Sequence, residues 1–380
     1  MTQPLLALSQ CASAIEPTLI RTLRERARPD SLDLGLGQPD LLVASEVREA
    51  VAAHIAAGAA PYSANLGLGP TREAVASHYG VDAARVMITC GVQQALAVAI
   101  FGMIDAGDDV LVPEPGFPAY PNLVRAAGGR PVPYRLDCAK GWRLEAEAVE
   151  RALTPKTRAI ILNSPSNPTG AIFGRDDLKA VLDLVAGRGI AWISDEIYED
   201  YIYGDRHHSP LDFGEHRDGG VKLGGLSKSH HMMGWRLGWL LGPEGLVEGL
   251  KPLHQHMVTC APTPAQVAAV VALKHHERLV AETLAVFERR RAQTIAACRA
   301  IPGVDFAEPL GAFYLFLDVR AHANTLGTSL QLAYRVLDEA NVVTIPGSGF
   351  GSGGEGFLRI AYTLDEARLG EALRRLKGFF

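Results

Sequence analysis

Cysteine is scarce in this 380-residue chain. The five present (Cys11, Cys90, Cys138, Cys260 and Cys298) are scattered, odd in number and form no Cys-x-x-Cys pair. That excludes a disulfide scaffold and points to free thiols in a reducing compartment. No uncharged apolar run approaches the length of a membrane span; Ala95 to Ile104 is among the longest. The first ten residues lack the basic region and apolar core of a signal peptide, so a cytoplasmic location is expected. No His-Glu-x-x-His occurs, and the histidine pairs at 207/208, 230/231 and 275/276 are adjacent, which turns the rings of each pair apart. No metal site is expected. Net charge is −5 with a pI near 6.2, so the balance calls for neither nucleic acid nor an anionic membrane as partner. Internal repeats and low-complexity segments are absent too. Lysine is also rare: only eight occur, which keeps the candidates for a nucleophilic amine few.

What is present describes a globular protein with many tight turns: 48% hydrophobic, 21% charged, 39 glycines. The length exceeds one usual domain, so two are expected. From residue 45 to 241 short apolar runs alternate with helical patterns. Strands are predicted at 86–89, 109–112, 131–136, 157–162, 190–194, 221–223 and 237–241. Helices are predicted at 13–28, at 45–57 with Ser45 as cap, at 71–79, from 93, and at 120–127, 144–153 and 175–186. Continuous apolar strands between helices indicate a mostly parallel sheet covered on both faces, an α/β fold. A helical segment from Pro264 to about Ala300, with the charged run 288–291 on its solvated side, leads to strands at 311–319, 342–345 and 357–362 and helices at 328–340 and 364–378. The expected division is a large domain of residues 40–284 and a small α+β domain of 1–39 with 285–380.

The chemistry concentrates in Gly224-Gly225-Leu226-Ser227-Lys228, followed by Gly234-Trp235-Arg236. A lysine between tight-packing glycines and buried strands loses solvation, which lowers its pKa and frees the amine as a nucleophile. Ser227 and the forked donors of Arg236 suit a phosphate. A carbonyl cofactor carrying a phosphate, pyridoxal phosphate, satisfies all three; an ordinary lysine in a surface loop is the plain alternative.

In open α/β sheets ligands lie beyond the carboxyl ends of the strands, and three other strand ends carry suitable residues. Asp195, in Asp195-Glu196-Ile197-Tyr198, either pairs with a pyridine nitrogen or caps a helix. Asn167, in Asn167-Pro168-Thr169-Gly170, sits in good turn chemistry and has an amide suited to the ring oxygen, which Tyr198 can also contact. The freed amides of Gly91, Val92 and Gln93 at a helix start form an anion site. Phe117 either stacks on a cofactor ring or packs in the core. Gly349-Phe350-Gly351-Ser352-Gly353-Gly354 satisfies G-x-G-x-x-G, but a strand pattern follows where a dinucleotide site requires a helix, so a flexible loop is expected.

Together, Asn167-Pro168-Thr169-Gly170, Asp195-Glu196-Ile197-Tyr198 and Ser227-Lys228 with Gly234-Trp235-Arg236 resemble the class I/II pyridoxal-phosphate aminotransferases of fold type I. The resemblance runs from Leu36-Gly37-Gln38-Pro39-Asp40 to Phe357-Leu358-Arg359-Ile360. It implies a mostly parallel seven-stranded sheet in the large domain and a homodimer. It further implies that Lys228 holds the cofactor as a Schiff base and later moves the proton. By the same likeness Asp195 pairs with the ring nitrogen, while Tyr198 and Asn167 hold the ring oxygen. Ser227, Arg236 and the amides of 91–93 hold the phosphate, and Phe117 stacks on the ring. Tyr62 matches a tyrosine that reaches the partner subunit's phosphate. Arg359 matches the clamp on the substrate carboxylate, with the Gly37 backbone near it.

Three departures stand out. Gly225 replaces a second serine, His230-His231-Met232-Met233 replaces a commoner sequence, and Gln93 stands where some aspartate-type members carry lysine.

The expected activity is transfer of an α-amino group between an L-amino acid and a 2-oxo acid by a ping-pong cycle. A carbon–sulfur β-lyase is the first alternative, because elimination begins from the same carbanion. A non-catalytic pyridoxal-phosphate-binding regulator is the second. Residues 13–18, Gln93 and His230 are the candidates for the side-chain pocket, and His254 and His256 are expected to be structural or near-site polar groups.

Overall fold

The computed structural model describes residues 8–13, 15, 17–58, 61–204 and 206–380. Among these residues twelve strands follow in chain order. They are β1 (Leu32–Asp33), β2 (Val86–Thr89), β3 (Asp109–Glu114), β4 (Arg130–Arg135), β5 (Thr157–Asn163) and β6 (Ala191–Asp195). After these come β7 (Gly220–Gly224), β8 (Gly238–Leu241), β9 (Tyr314–Asp318), β10 (Val342–Val343), β11 (Ile345–Pro346) and β12 (Phe357–Ala361). Strands β2 to β8 form one seven-stranded sheet in the order β2-β8-β7-β6-β5-β3-β4. Only β8 runs against its neighbours; the other pairings are parallel.

Period-two alternation sorts the strand side chains into two cores. Met87, Val110, Ile161, Ile193 and Leu240 pack with the helices Val92–Met103 and Glu244–Val258. Their sequence neighbours Ile88, Leu111, Ile160, Trp192 and Leu241 pack with the helix Arg175–Ala186 and with the C-terminal strands. Burial on both faces is why these strands read as continuous apolar runs.

A smaller antiparallel sheet has the order β11-β12-β9, and β1 pairs in parallel with β10 through Leu32↔Val342. The run 342–345, expected as one strand, therefore serves two sheets. Nothing in four β-prone residues says which neighbour each half will meet.

Other expectations change in detail. The helix expected at 13–28 spans Leu19–Arg26, with a separate turn at Gln10–Ser13; residues 14 and 16 lie outside the described set. Ser45 is the first residue of its helix, not its cap, and Ala44 holds the cap position. The helix Glu244–Val258 was not anticipated, since Pro252 and two glycines obscure its buried stripe Val247, Leu250, His254. The segment after Pro264 is two helices, Thr263–Lys274 and His276–Arg299. Within the second, Arg290 is buried and paired with Asp40 at 2.7 Å, because consecutive residues turn by 100° and one of a charged run must face inward. The glycine-rich loop after β11 is not loose. It forms two short turns, and the Ser352 amide donates to Glu114 Oε1 at 2.9 Å. Among the described residues no helix is long and apolar enough to cross a membrane.

Candidate active site

Three neighbouring strands end at one place. Asn163 closes β5, Asp195 closes β6 in register with it, and β7 leads through Gly224 into Ser227 and Lys228. Here lies a cavity of about 640 Å³. Of the residues proposed from sequence, Gly37, Val92, Gln93, Phe117, Asn167, Asp195, Tyr198, Ser227, Lys228, Arg236 and Arg359 line it. Gly91 lies behind Arg236, where an added Cβ would come within 2.6 Å of Arg236 Nη2. Tyr62 lies outside the cavity, 85% exposed on the surface.

Two of the eight lysines are enclosed, and their surroundings are opposite. Lys222 donates to Glu196 at 2.7 Å and Glu199 at 2.5 Å. Burial works against its charge, yet the two carboxylates outweigh burial and hold the ammonium above its ordinary range. Lys228 has no carboxylate in contact; its Nζ donates to the Gly37 carbonyl at 2.7 Å. Burial, helped by the positive Arg359 and Arg236, lowers its amine to about 8 against a weaker pull from Asp195. Only Lys228 is placed to be a free amine near neutral pH.

Asp195 is 5% exposed, and burial raises its carboxyl to about 6. The Tyr120 hydroxyl, donating at 2.8 Å, and the Ile197 amide at 3.3 Å oppose that rise. Tyr198 and Tyr314 share a hydrogen bond of 2.7 Å between hydroxyls. Arg359 is 1% exposed. Its Nη1 donates to Asn167 Oδ1 at 3.0 Å, Nη2 donates to the Gly35 carbonyl, and Nε is buried without a partner. Its guanidinium lies 4.6 Å above the Tyr314 ring. The Asn167 backbone N–H donates in turn to Asn163 Oδ1 at 3.0 Å, which fixes the residue's position.

At the opposite wall Gly91 caps the helix Val92–Met103 at φ 80°, a left-handed conformation suited to glycine. Arg236, itself at φ 57°, packs its guanidinium against that helix start. A cation and the freed amides of a helix N-terminus together make an anion site.

The sequence matches the profile of the family described as aminotransferase class I and II over residues 29–376. The chain belongs to the class I and II aminotransferases. It is 34% identical to the probable aspartate/prephenate aminotransferase of Aquifex aeolicus, over 97% of this chain and 98% of that protein. It is also 34% identical to aromatic-amino-acid aminotransferase 2 of Thermococcus litoralis, over 98% of both. A single mutant of the Thermus thermophilus aspartate aminotransferase superposes with a TM-score of 0.93 at 30% identity, covering 99% of this chain and 100% of that one.

In this aminotransferase the glycine at 225 is closely packed. A Cβ there would lie 3.1 Å from the Gly238 Cα and 3.3 Å from Val92 Cγ2, so a serine would require β8 or the helix start to give way. Gly37 is tighter still: a Cβ would fall 2.0 Å from the Tyr314 hydroxyl. Of the pocket candidates, Pro17, Thr18 and Gln93 line the cavity, whereas His230 does not. His254 is wholly buried on its helix and lines none of this cavity. Sequence reasoning passed over Tyr120 and Tyr314, since a core aromatic and a site aromatic look alike in an apolar run. It also passed over Ile20, Arg21, Leu36 and Leu96, which line the same cavity but come from separate segments.

Proposed function

We propose that this chain is a pyridoxal-phosphate-dependent aminotransferase that moves an α-amino group between L-amino acids and 2-oxo acids, with Lys228 as the covalent anchor. The observation that carries the reading is that the cavity contains two buried charges, Asp195 and Arg359, without ion-pair partners of opposite sign. Asp195 is a buried carboxylate whose contacts are a hydroxyl and an amide, which suits a protonated ring nitrogen. Arg359 is a buried guanidinium with an unpaired Nε, which suits an amino acid carboxylate. Arg236 at the start of the helix Val92–Met103 suits a phosphate.

The cofactor, when bound, supplies an electron sink for the bonds at the substrate α-carbon. The chain's own residues do the rest. Asp195 would hold the ring nitrogen protonated, and the hydroxyl of Tyr198 and the side-chain amide of Asn167 would hold the ring oxygen. Phe117 would pack on the ring. Arg359 orients the substrate by its carboxylate, and the Lys228 amine, once released, takes the α-proton and returns it one atom away. Every relative named above carries an aminotransferase name, which favours transfer over β-elimination.

The substrate range we infer spans aspartate-type and aromatic side chains. The relatives' names divide between the two, and the cavity has an apolar wall of Ile20, Leu36 and Leu96 beside the polar Thr18, Arg21 and Gln93. The same reading makes the enzyme a cytoplasmic homodimer, with the exposed Tyr62 directed to a partner subunit. It also divides the chain into 40–284 and 1–39 with 285–380, a division supported by the pairing of β1 with β10.

The test is reductive trapping. Borohydride treatment of the protein supplied with pyridoxal phosphate should attach the cofactor to Lys228; in a separate, unreduced sample, addition of aspartate or tyrosine should convert the cofactor to pyridoxamine phosphate with release of the oxo acid. Trapping at another residue, or release of pyruvate and thiol from cystathionine in place of transfer, would overturn it.

A further inference from the structure

Just beyond the Lys228 loop, three segments meet in a cluster that amino transfer does not use. Asp200 ends the turn 197–200 that follows β6, His230 stands two residues past Lys228, and His276 opens the helix His276–Arg299. One nitrogen from each histidine and one Asp200 oxygen lie within 4.8 Å of one another. His276 Nε2 and Asp200 Oδ1 are 3.2 Å apart. Nitrogen and oxygen ligands at about 2.0–2.1 Å on one tetrahedral ion stand roughly 3.3 Å from each other, so this pair already has the spacing of two ligands on one metal.

His230 supplies the independent observation. It is 3% exposed, its Nδ1 is engaged by Ser229 Oγ at 2.9 Å, and its Nε2 is buried with no partner. A ring held through one nitrogen while the other is left free is the arrangement of a metal-binding histidine with its outer hydrogen bond in place. A simple charge pair engages Asp200 and His276 Nε2 but leaves His230 Nε2 and His276 Nδ1 both buried without partners.

A nearby cluster sharpens the contrast. Glu196, Glu199 and His207 also converge, but there the Lys222 ammonium already sits at 2.7 Å and 2.5 Å from the carboxylates. Among the described residues no lysine or arginine pairs with Asp200. A cavity of about 240 Å³, bordered by Leu42, Ser229, His230 and Thr283, lies on the His230 side of the cluster.

We infer that Asp200, His230 and His276 bind one divalent transition ion of the zinc class, with water in the fourth position. Two imidazoles and one carboxylate suit such an ion better than calcium or magnesium, which prefer oxygen ligands alone. His230 and His276 come from different adjacent pairs and are brought together only by the fold. The ion joins the turn carrying Tyr198, just past Asp195, to the loop carrying Lys228, and acts as a brace outside the cavity.

The experiment uses the full-length holoenzyme, freed of adventitious ions with a chelator, then titrated with Zn²⁺ alone and with Co²⁺ alone. Calorimetry should give one ion per chain, and cobalt should show the visible bands of a tetrahedral site. His276→Ala and Asp200→Asn should each weaken binding by at least about 100-fold, and Ser229→Ala, which frees the His230 ring, by about tenfold. Asp200→Asn keeps the side-chain shape, so it reports the ligand's loss even where His276→Ala fails to fold. Anomalous diffraction at the zinc edge should put the ion between the three side chains. An ion located elsewhere, affinity unchanged in both variants, or no binding at all would overturn the assignment. The readout is ion binding, so it stands apart from the transamination reading.

Discussion

The depressed amine of Lys228 can be titrated against Lys222 in the same molecule. Burial together with Arg359 and Arg236 lowers Lys228 from 10.5 to about 8, whereas Glu196 and Glu199 hold Lys222 above its ordinary value. The nucleophile is the neutral amine. At pH 7 an amine with a pKa near 8 is roughly 9% neutral and one near 10.5 roughly 0.03%, a gain of about 300-fold. In the cofactor-free protein, brief labelling with a small acylating reagent across pH 6–11, read by peptide mass spectrometry, gives each lysine its own curve. Lys228 labelling should rise with pH to half its maximum near pH 8 and flatten above it. Lys222 should remain unlabelled throughout that range. A Lys228 midpoint at the ordinary value of 10.5, or labelling of Lys222 alongside it, would refute the argument that unpaired burial beside two guanidinium groups selects the reactive lysine.

Three further outcomes follow from the same geometry. Tyr120→Phe removes the hydroxyl that favours the Asp195 carboxylate; a hydrogen bond to a charge is worth about 1.5–3 kcal/mol, or about one to two pH units. Asp195 then ionises at higher pH, so its titration in the cofactor-free protein, followed by infrared difference spectroscopy, should move to higher pH by that amount; an unmoved midpoint contradicts the assignment. Lys222→Met leaves two buried carboxylates without their cation and should cost about 3–5 kcal/mol in urea unfolding, and a loss within the scatter of surface mutants would count against the network. Gly91→Ala places a methyl against Arg236 at a left-handed backbone position, so the dissociation constant for pyridoxal phosphate should rise about tenfold, measured by cofactor fluorescence.

Much of this molecule was legible in the chain because the signals were local. β2 and the helix Arg175–Ala186 lie where apolar period and turn residues predict them, since a buried parallel strand and an amphipathic helix each write their burial into consecutive residues. Asp195 at the end of β6 and Lys228 just past β7 meet for the same reason: a parallel sheet gathers its carboxyl ends on one edge. Tyr120 and Tyr314 were not legible. Their roles depend on which carboxylate or hydroxyl arrives across 75 and 116 residues of sequence, and an aromatic in an apolar run carries no mark of that partner.

The sequence by itself determined the α/β class, the strand-end loops and a short list of reactive side chains, because those follow from periodicity and residue chemistry over a few positions. Tertiary structure alone decided which of two enclosed lysines is a free amine and which a paired ammonium, and which histidines from separate pairs share one site. Those outcomes rest on distances between segments remote in the chain, and Coulomb interactions and desolvation depend on distance and burial, not on order.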